Sequence, residues 1–234
     1  MNNLKKKWDK SYKQGDNNIL YPQTEVIKFI NRFVCKQNNN RTLTRYLNKK
    51  KNHRIRGLDF GCGIGTHAIM FNDFQIEAHG IDISKVAISK AIKNAKKKGF
   101  KSDKFLIQPN DTHILPFKDN YFDFVVAESC LDSMPFNLAK LYISELKRVT
   151  NGIIYASFIG RKPIMSKKVE FVVKTKHEEG TVQTLFNQKK IYELFGIDKK
   201  NFIYFSCINQ IDCHSKKIIS KRYYVVVKYS KSNP

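Results

Sequence analysis

Leu58-Asp59-Phe60-Gly61-Cys62-Gly63-Ile64-Gly65-Thr66 is the stretch on which the fold turns. Arg54 to Phe60 reads as a strand, Gly61 to Gly65 as a turn, and Thr66 as the opening of a helix. Alternating glycines allow a ligand to approach the backbone closely, because a side chain at Gly61 or Gly63 would stand in its way. The helix start beyond them offers N–H groups that have no partner inside the helix. A turn that holds a dinucleotide pyrophosphate has the pattern G-x-G-x-x-G. Here the third glycine comes one position early, and Thr66 stands where Gly or Ala belongs. The turn is therefore shaped for a different ligand.

Working outward, strands and helices alternate, which predicts an α/β, Rossmann-like, doubly wound and mostly parallel sheet. Ile76 to Asp82 reads as the second strand. A helix from Ser84 to Lys98 follows, with Ser84 as N-cap and Gly99 just past its end. Phe105 to Gln108 is a short third strand, and Phe122 to Glu128 is a fourth, apolar on both faces as a buried parallel strand is. Asn137 to Thr150 is helical and Ile153 to Phe158 is the fifth strand. Beyond it, Val169 to Thr175 looks strand-like and Asn187 to Phe195 helical. Asn201 to Asn209 and Tyr223 to Tyr229 read as an antiparallel C-terminal pair. Upstream, Gln23 to Cys35 reads as a helix with Val26, Ile27, Ile30 and Phe33 on one face. Lys36 to His53 is a basic connector.

Asp82 lies 21 residues after Gly61 and ends the second strand. A carboxylate there can accept hydrogen bonds from both hydroxyls of a ribose, or can simply cap the next helix. The glycine turn at this interval favours the ribose.

A third element is Asn110-Asp111-Thr112-His113-Ile114-Leu115-Pro116-Phe117, followed by Phe122-Asp123-Phe124-Val125-Val126. With it, the chain from Leu58 to Phe158 resembles the class I S-adenosylmethionine (SAM)-dependent methyltransferases of the small single-domain type. The resemblance implies SAM as cofactor, and one domain over residues 1–234. That domain divides into an N-terminal lid and basic connector (1–53), a SAM-binding core (54–158) and a substrate-side segment (159–234). It places Asp111, with Thr112, at the adenine amino group. Asp59 and the backbone of Gly61, Cys62, Gly63 and Gly65 lie beside the methionine end, Ile83 beside Asp82, and Glu128 and Ser129 at the end of the fourth strand. Trp8 and Tyr12 look like an aromatic lead-in that folds over the cofactor, where a ring can pair with a sulfonium; anchoring the terminus to the core is the other reading.

Many relatives carry a histidine soon after the fourth strand, but here Ser133 holds that position, so no catalytic histidine carries over. Methyl transfer from a sulfonium needs positioning first, and a base only where the nucleophile must lose a proton. Asp132 is the first candidate base and His177 the second, while His67 belongs to the first turn of a cofactor-binding helix. Neither an Asn-Pro-Pro-Tyr run nor a Pro-Cys nucleophile is present, which leaves a small-molecule acceptor. Lys10, Lys13, Arg161, Lys162, Lys216 and Lys217 near the expected mouth would suit an anionic or sugar-like one.

The formal charge is +23, from 43 basic and 20 acidic residues. Such a field attracts polyanions, so an RNA-modifying methyltransferase is the alternative, and a nucleoside-binding protein without catalysis is a third. Only eight of the basic residues are Arg, the residue that planar phosphate recognition favours. Lysine, asparagine and isoleucine abound together, as A/T-rich codons would produce. Five cysteines lack CxxC spacing, so no metal site is expected and a reduced, cytoplasmic setting is. No secretory signal and no membrane partner are expected, because no long apolar run exists.

Overall fold

A computed structural model describes residues 2–15, 17–37, 43–47, 54–100, 103–108, 112–161 and 169–229. Its centre is a seven-stranded sheet. In chain order the strands are β1 (Arg56–Phe60), β2 (Glu77–Asp82), β3 (Phe105–Ile107), β4 (Phe122–Ala127), β5 (Thr150–Ile159), β6 (Phe202–Ile211) and β7 (Ile218–Lys228). Their spatial order is β6-β7-β5-β4-β1-β2-β3. The pairs from β5 through β3 are parallel, and β7 joins antiparallel to both β5 and β6. The α/β, mostly parallel architecture with an antiparallel closing pair is thus the observed one.

Helices cover both faces: α1 (Asn2–Gln14), α2 (Thr24–Phe29), α3 (Thr66–Asp73), α4 (Lys85–Lys97), α5 (Phe136–Val149) and α6 (Gln188–Phe195). The two-sided burial explains β4, whose six residues are all buried. Val125 and Ala127 pack in the layer of α5 and α6, whereas Phe124 and Val126 pack with α2, α3 and α4. Local signals set the helix ends. Ser84 caps α4 by accepting from Ala87 N at 3.1 Å, Asn187 caps α6 by accepting from Lys190 N at 2.8 Å, and Gly99 and Gly196 follow their helices at φ +74° and +58°.

Four elements differ from the sequence reading. The helix expected over 23–35 is α-helical only to Phe29 and continues as a π-helix from Ile30 to Val34. Phe29 and Val34 are buried in place of Ile27 and Phe33. The connector after it contains a small antiparallel pair, Cys35–Gln37 with Leu43–Arg45. A second small hairpin joins Glu170–Val172 to Val182–Thr184, where only its first strand had a sequence signal. The N-terminal lead-in is a helix of 13 residues. Among the described residues no helix is long and apolar enough to cross a membrane, and no group of three or more metal-binding side chains is assembled.

The chain runs outward from β1 through β2 to β3, then returns across the sheet to β4. The C-terminal ends of β1 and β4 are therefore the switch point, where loops diverge and open α/β sheets bind ligands.

Candidate active site

The glycine turn and the loop after β4 meet at this point. Gly61, Gly63 and Gly65 have φ of +73°, +53° and +84°, so the turn is built from left-handed residues at alternate positions. A Cβ on Gly61 would stand 2.3 Å from Cys130 Sγ, and one on Gly63 2.6 Å from Tyr12 Oη. At both positions glycine is needed for close approach as well as for conformation.

Asp82 ties this turn to the end of β2. Its Oδ2 accepts from Gly63 N at 2.9 Å and its Oδ1 from Ser84 N at 2.8 Å. Burial, with a smaller push from Asp59 and Asp9, raises the carboxyl to about 6 against the pull of those two N–H groups. Each oxygen keeps a free lone pair for a further donor. Asp59 lies beneath the turn, 1% exposed, accepting from Ala68 N at 3.1 Å and facing His67 Nδ1 at 3.8 Å. His67 Nε2 in turn accepts from Gln23 N at 3.1 Å, so its proton sits on Nδ1, toward Asp59. Burial lowers the His67 pKa, but Asp59 outweighs it and the net shift is upward.

Two adjoining clefts open here. The inner one, of about 90 Å³, is mostly apolar and is bordered by Phe60, Ile81, Asp82, Ile83, Gln108 and Tyr142 among others. The outer one, of about 430 Å³, is polar and runs past Gly61, Cys62 and Gly63 to Glu128, Asp132, His177 and Arg222. Trp8, Tyr12, Gly61, Ser129 and Ser133 border both. The buried thiol of Cys62 and the half-buried one of Cys130 stay protonated, since desolvation and the nearby carboxylates push their pKa values well up.

Helix α1 forms the roof. Leu4, Trp8 and Tyr12 recur every fourth residue, which aligns them on one face, and all three border the inner cleft. Asp9 Oδ1 accepts from Ser84 Oγ at 2.6 Å and Val86 N at 3.2 Å, which docks α1 on the start of α4. On the other side Ser11 Oγ donates to the His177 carbonyl at 2.5 Å, and Lys10 pairs with Glu179 at 3.3 Å. The phenol of Tyr12 is held protonated, first by burial and then by Asp82.

At the end of β4, Glu128 accepts from Tyr155 Oη at 2.8 Å and from Ser129 Oγ at 3.1 Å. Ser129 is a non-glycine residue at φ +52°, a sparsely populated conformation of the kind that collects at functional sites. Its N–H donates to Ser157 Oγ at 2.9 Å, and its hydroxyl accepts from Arg222 Nη1 at 2.8 Å. Asp132 is fully buried beside the outer cleft, with Oδ2 accepting from Ile159 N at 2.7 Å and 3.9 Å from Arg222 Nη1. Burial pushes its carboxyl up to about 6, against Arg222.

Most of the residues singled out from sequence therefore converge. Gly65 instead packs α3 on the sheet, where a Cβ would meet Phe105 at 2.9 Å. Thr112 stands outside both clefts and uses its hydroxyl to accept from Ile114 N at 3.0 Å. Asp111 and Lys162 lie outside the described residues. Lys10, Lys13, Lys216 and Lys217 border neither cleft, and Arg161 borders a separate one. Sequence reasoning missed Gln108, Arg222 and Leu4. Gln108 follows the C-terminal end of β3, on the ligand-binding edge of the sheet but two strands from the switch point, and Leu4 carries the four-residue spacing; Arg222 has no local signal.

A sequence profile described as a methyltransferase domain matches residues 51–201, well over half of the chain. The chain belongs to the methyltransferase domain family. The chain is 33% identical, over 100 residues, to an uncharacterized protein of Haemophilus influenzae. That match covers 42% of the chain and 39% of the relative's length. Among solved structures it resembles a SAM-dependent methyltransferase of Methanosarcina mazei with a TM-score of 0.60 and 21% identity, over 75% of this chain and 92% of that one. A phosphoethanolamine N-methyltransferase of Haemonchus contortus, bound to phosphomonomethylethanolamine and S-adenosylhomocysteine, gives a TM-score of 0.59 at 16% identity. It covers 92% of this chain and 55% of that one. At these identities the structures establish the common fold of the methyltransferase domain.

Proposed function

We propose that the chain transfers the methyl group of SAM to a small-molecule acceptor by in-line displacement. One observation carries this reading: a left-handed glycine turn, the Asp82 carboxylate and a roofed polar cleft converge at a single switch point. In this reading the adenosyl group enters the inner cleft, and Asp82 takes the ribose hydroxyls with its remaining lone pairs. Asp111 meets the adenine amino group, as the family resemblance implies. The methionine end passes Gly61 to Gly63, above Asp59, with Glu128 held ready for the ammonium by Tyr155 and Ser129. Trp8 and Tyr12 close over the sulfonium and exclude water.

The methyl carbon then faces the outer cleft. An acceptor held there in line with the C–S bond reacts largely through positioning, because the sulfide is a good neutral leaving group. Asp132 serves as base where the acceptor must lose a proton. His177 is the second candidate, with its carbonyl engaged by Ser11 and its side chain exposed. Five unpaired cysteines support a reducing, cytoplasmic setting.

Isothermal titration with SAM and S-adenosylhomocysteine tests the cofactor, and transfer from methyl-labelled SAM to small molecules tests the reaction. Binding without any transfer would leave only a nucleoside-binding role. The +23 charge favours one competing acceptor, RNA. RNA affinity that falls steeply with salt, and label that nuclease releases, would establish that reading instead.

A further inference from the structure

We propose, building on the SAM reading above, that the acceptor is a small amine, cationic at neutral pH, and that it is methylated on nitrogen beside Asp132, Glu128 and Glu178. Over the whole chain basic residues outnumber acidic ones 43 to 20. The wall of the outer cleft reverses this ratio. Among the described residues it carries three carboxylates, Glu128, Asp132 and Glu178, against one permanent cation, Arg222. Arg222 is already engaged, donating to Ser129 Oγ at 2.8 Å and lying 3.9 Å from Asp132. Lys10, Lys13, Lys216 and Lys217 border neither cleft, so among the described residues these carboxylates face a single, already engaged cation.

SAM does not neutralise this wall by itself. It brings a sulfonium, an ammonium and a carboxylate, one net positive charge against two net negative ones. A second cation is called for.

An independent observation points to a hydrogen-bond donor on that cation. Asp132 is 0% exposed, its Oδ2 is used by Ile159 N, and its Oδ1 has no hydrogen-bond partner. Buried carboxylate oxygens are almost always paired, so this one is matched to a donor that a ligand supplies. An ammonium provides several such donors together with the missing charge.

The chemistry balances. The ammonium passes one proton to Asp132 Oδ1, and the freed nitrogen lone pair attacks the methyl carbon. The N–C bond forms as the C–S bond breaks, and sulfur keeps the bonding pair. S-adenosylhomocysteine and a methylammonium ion leave, and Asp132 returns its proton to water.

The test uses the full chain with methyl-labelled SAM and a small-molecule cell extract divided on a cation exchanger at neutral pH. Label transferred in the cation-retained fraction, and stable to alkali as an N-methyl group is, supports the proposal. Label confined to the neutral or anionic fraction overturns it, and so does absence of transfer in the retained fraction while SAM binds. Failure to bind SAM in a parallel titration would instead overturn the cofactor reading beneath it. With the labelled fraction as substrate, Glu178→Gln should raise KM about tenfold with kcat nearly kept, by loss of one charge-assisted contact. Asp132→Asn should lower kcat roughly a hundredfold with SAM affinity unchanged. An unchanged KM in Glu178→Gln counts against the amine even where the Asp132 variant fails to fold.

Discussion

Replacing Asp82 by Asn separates a ligand-binding role from a structural one. In the ligand-free protein the carboxylate accepts Gly63 N at 2.9 Å and Ser84 N at 2.8 Å, and it is 7% exposed. The variant keeps one carbonyl oxygen for one of these donors and turns an NH2 group toward the other. Folding therefore loses at least one charged hydrogen bond, ~1.5–3 kcal/mol. Against this, the carboxyl is pushed up to about 6, chiefly by burial, so its charge is disfavoured in the fold at pH 7. A shift of about two units corresponds to roughly 2–3 kcal/mol that the neutral amide does not incur. That shift is what remains after the two N–H groups have lowered it, so the amide should cost the fold no more than the carboxylate does, and the unfolding midpoint without ligand should hold or rise by a few degrees. SAM binding has no such compensation. It loses a charge-assisted contact to a ribose hydroxyl, ~1.5–3 kcal/mol, or roughly 10- to 150-fold in Kd. Titration calorimetry with SAM, alongside thermal unfolding of the same preparation, reads both quantities. Unchanged SAM affinity in a folded variant would refute the ribose assignment. A collapse of the unfolding midpoint would refute the claim that burial of the charge outweighs its two hydrogen bonds in the fold.

Gly63→Ala should weaken SAM binding at least tenfold, because φ is +53° and the new Cβ would lie 2.6 Å from Tyr12 Oη. Adding Tyr12→Phe removes that oxygen and should recover part of the loss; no recovery in the double variant would show that strain at the turn, not the roof, sets the effect. Asp9→Ala removes the acceptor for Ser84 Oγ and Val86 N, and should loosen α1 by ~1–2 kcal/mol. Faster amide exchange over residues 2–14 and at Val86, with the rest of α4 protected as before, is the expected readout. Asp82 and Asp132 are both pushed up to about 6, so the folded chain holds their protons more tightly than the unfolded chain does. Their contribution to ligand-free stability is full below the unfolded pKa of about 3.9 and is lost as pH rises through about 6. Denaturant midpoints should accordingly rise as pH falls from about 7 to 5. SAM affinity should move the opposite way, rising with pH until Asp82 is ionised; a flat affinity profile from pH 5 to 7 would contradict its role.

What the sequence determined by itself is local or periodic. Glycines at positions 61, 63 and 65 announced a turn open to close approach, and each has positive φ. Ser84 and Gly99 marked the ends of their helix through contacts made within a few residues. β4 was legible because burial on both faces requires an unbroken apolar run. Even the π-helical extension after Phe29 fell inside a segment read as helical, although the buried face shifted once the turn widened.

Only the tertiary structure decided what the cleft contains. Ser11 reaches the His177 carbonyl across 166 positions, and Arg222 lies 93 positions from the Ser129 hydroxyl it contacts. No window of sequence encodes such encounters, since they arise from the order in which the strands are laid side by side. Charge shows the same limit: counting lysines favoured an anionic acceptor, yet Lys10, Lys13, Lys216 and Lys217 do not line the clefts, while three carboxylates do line the outer one. Composition sums over a surface that is mostly solvent, whereas ligand chemistry depends on the few groups that burial and strand order bring together.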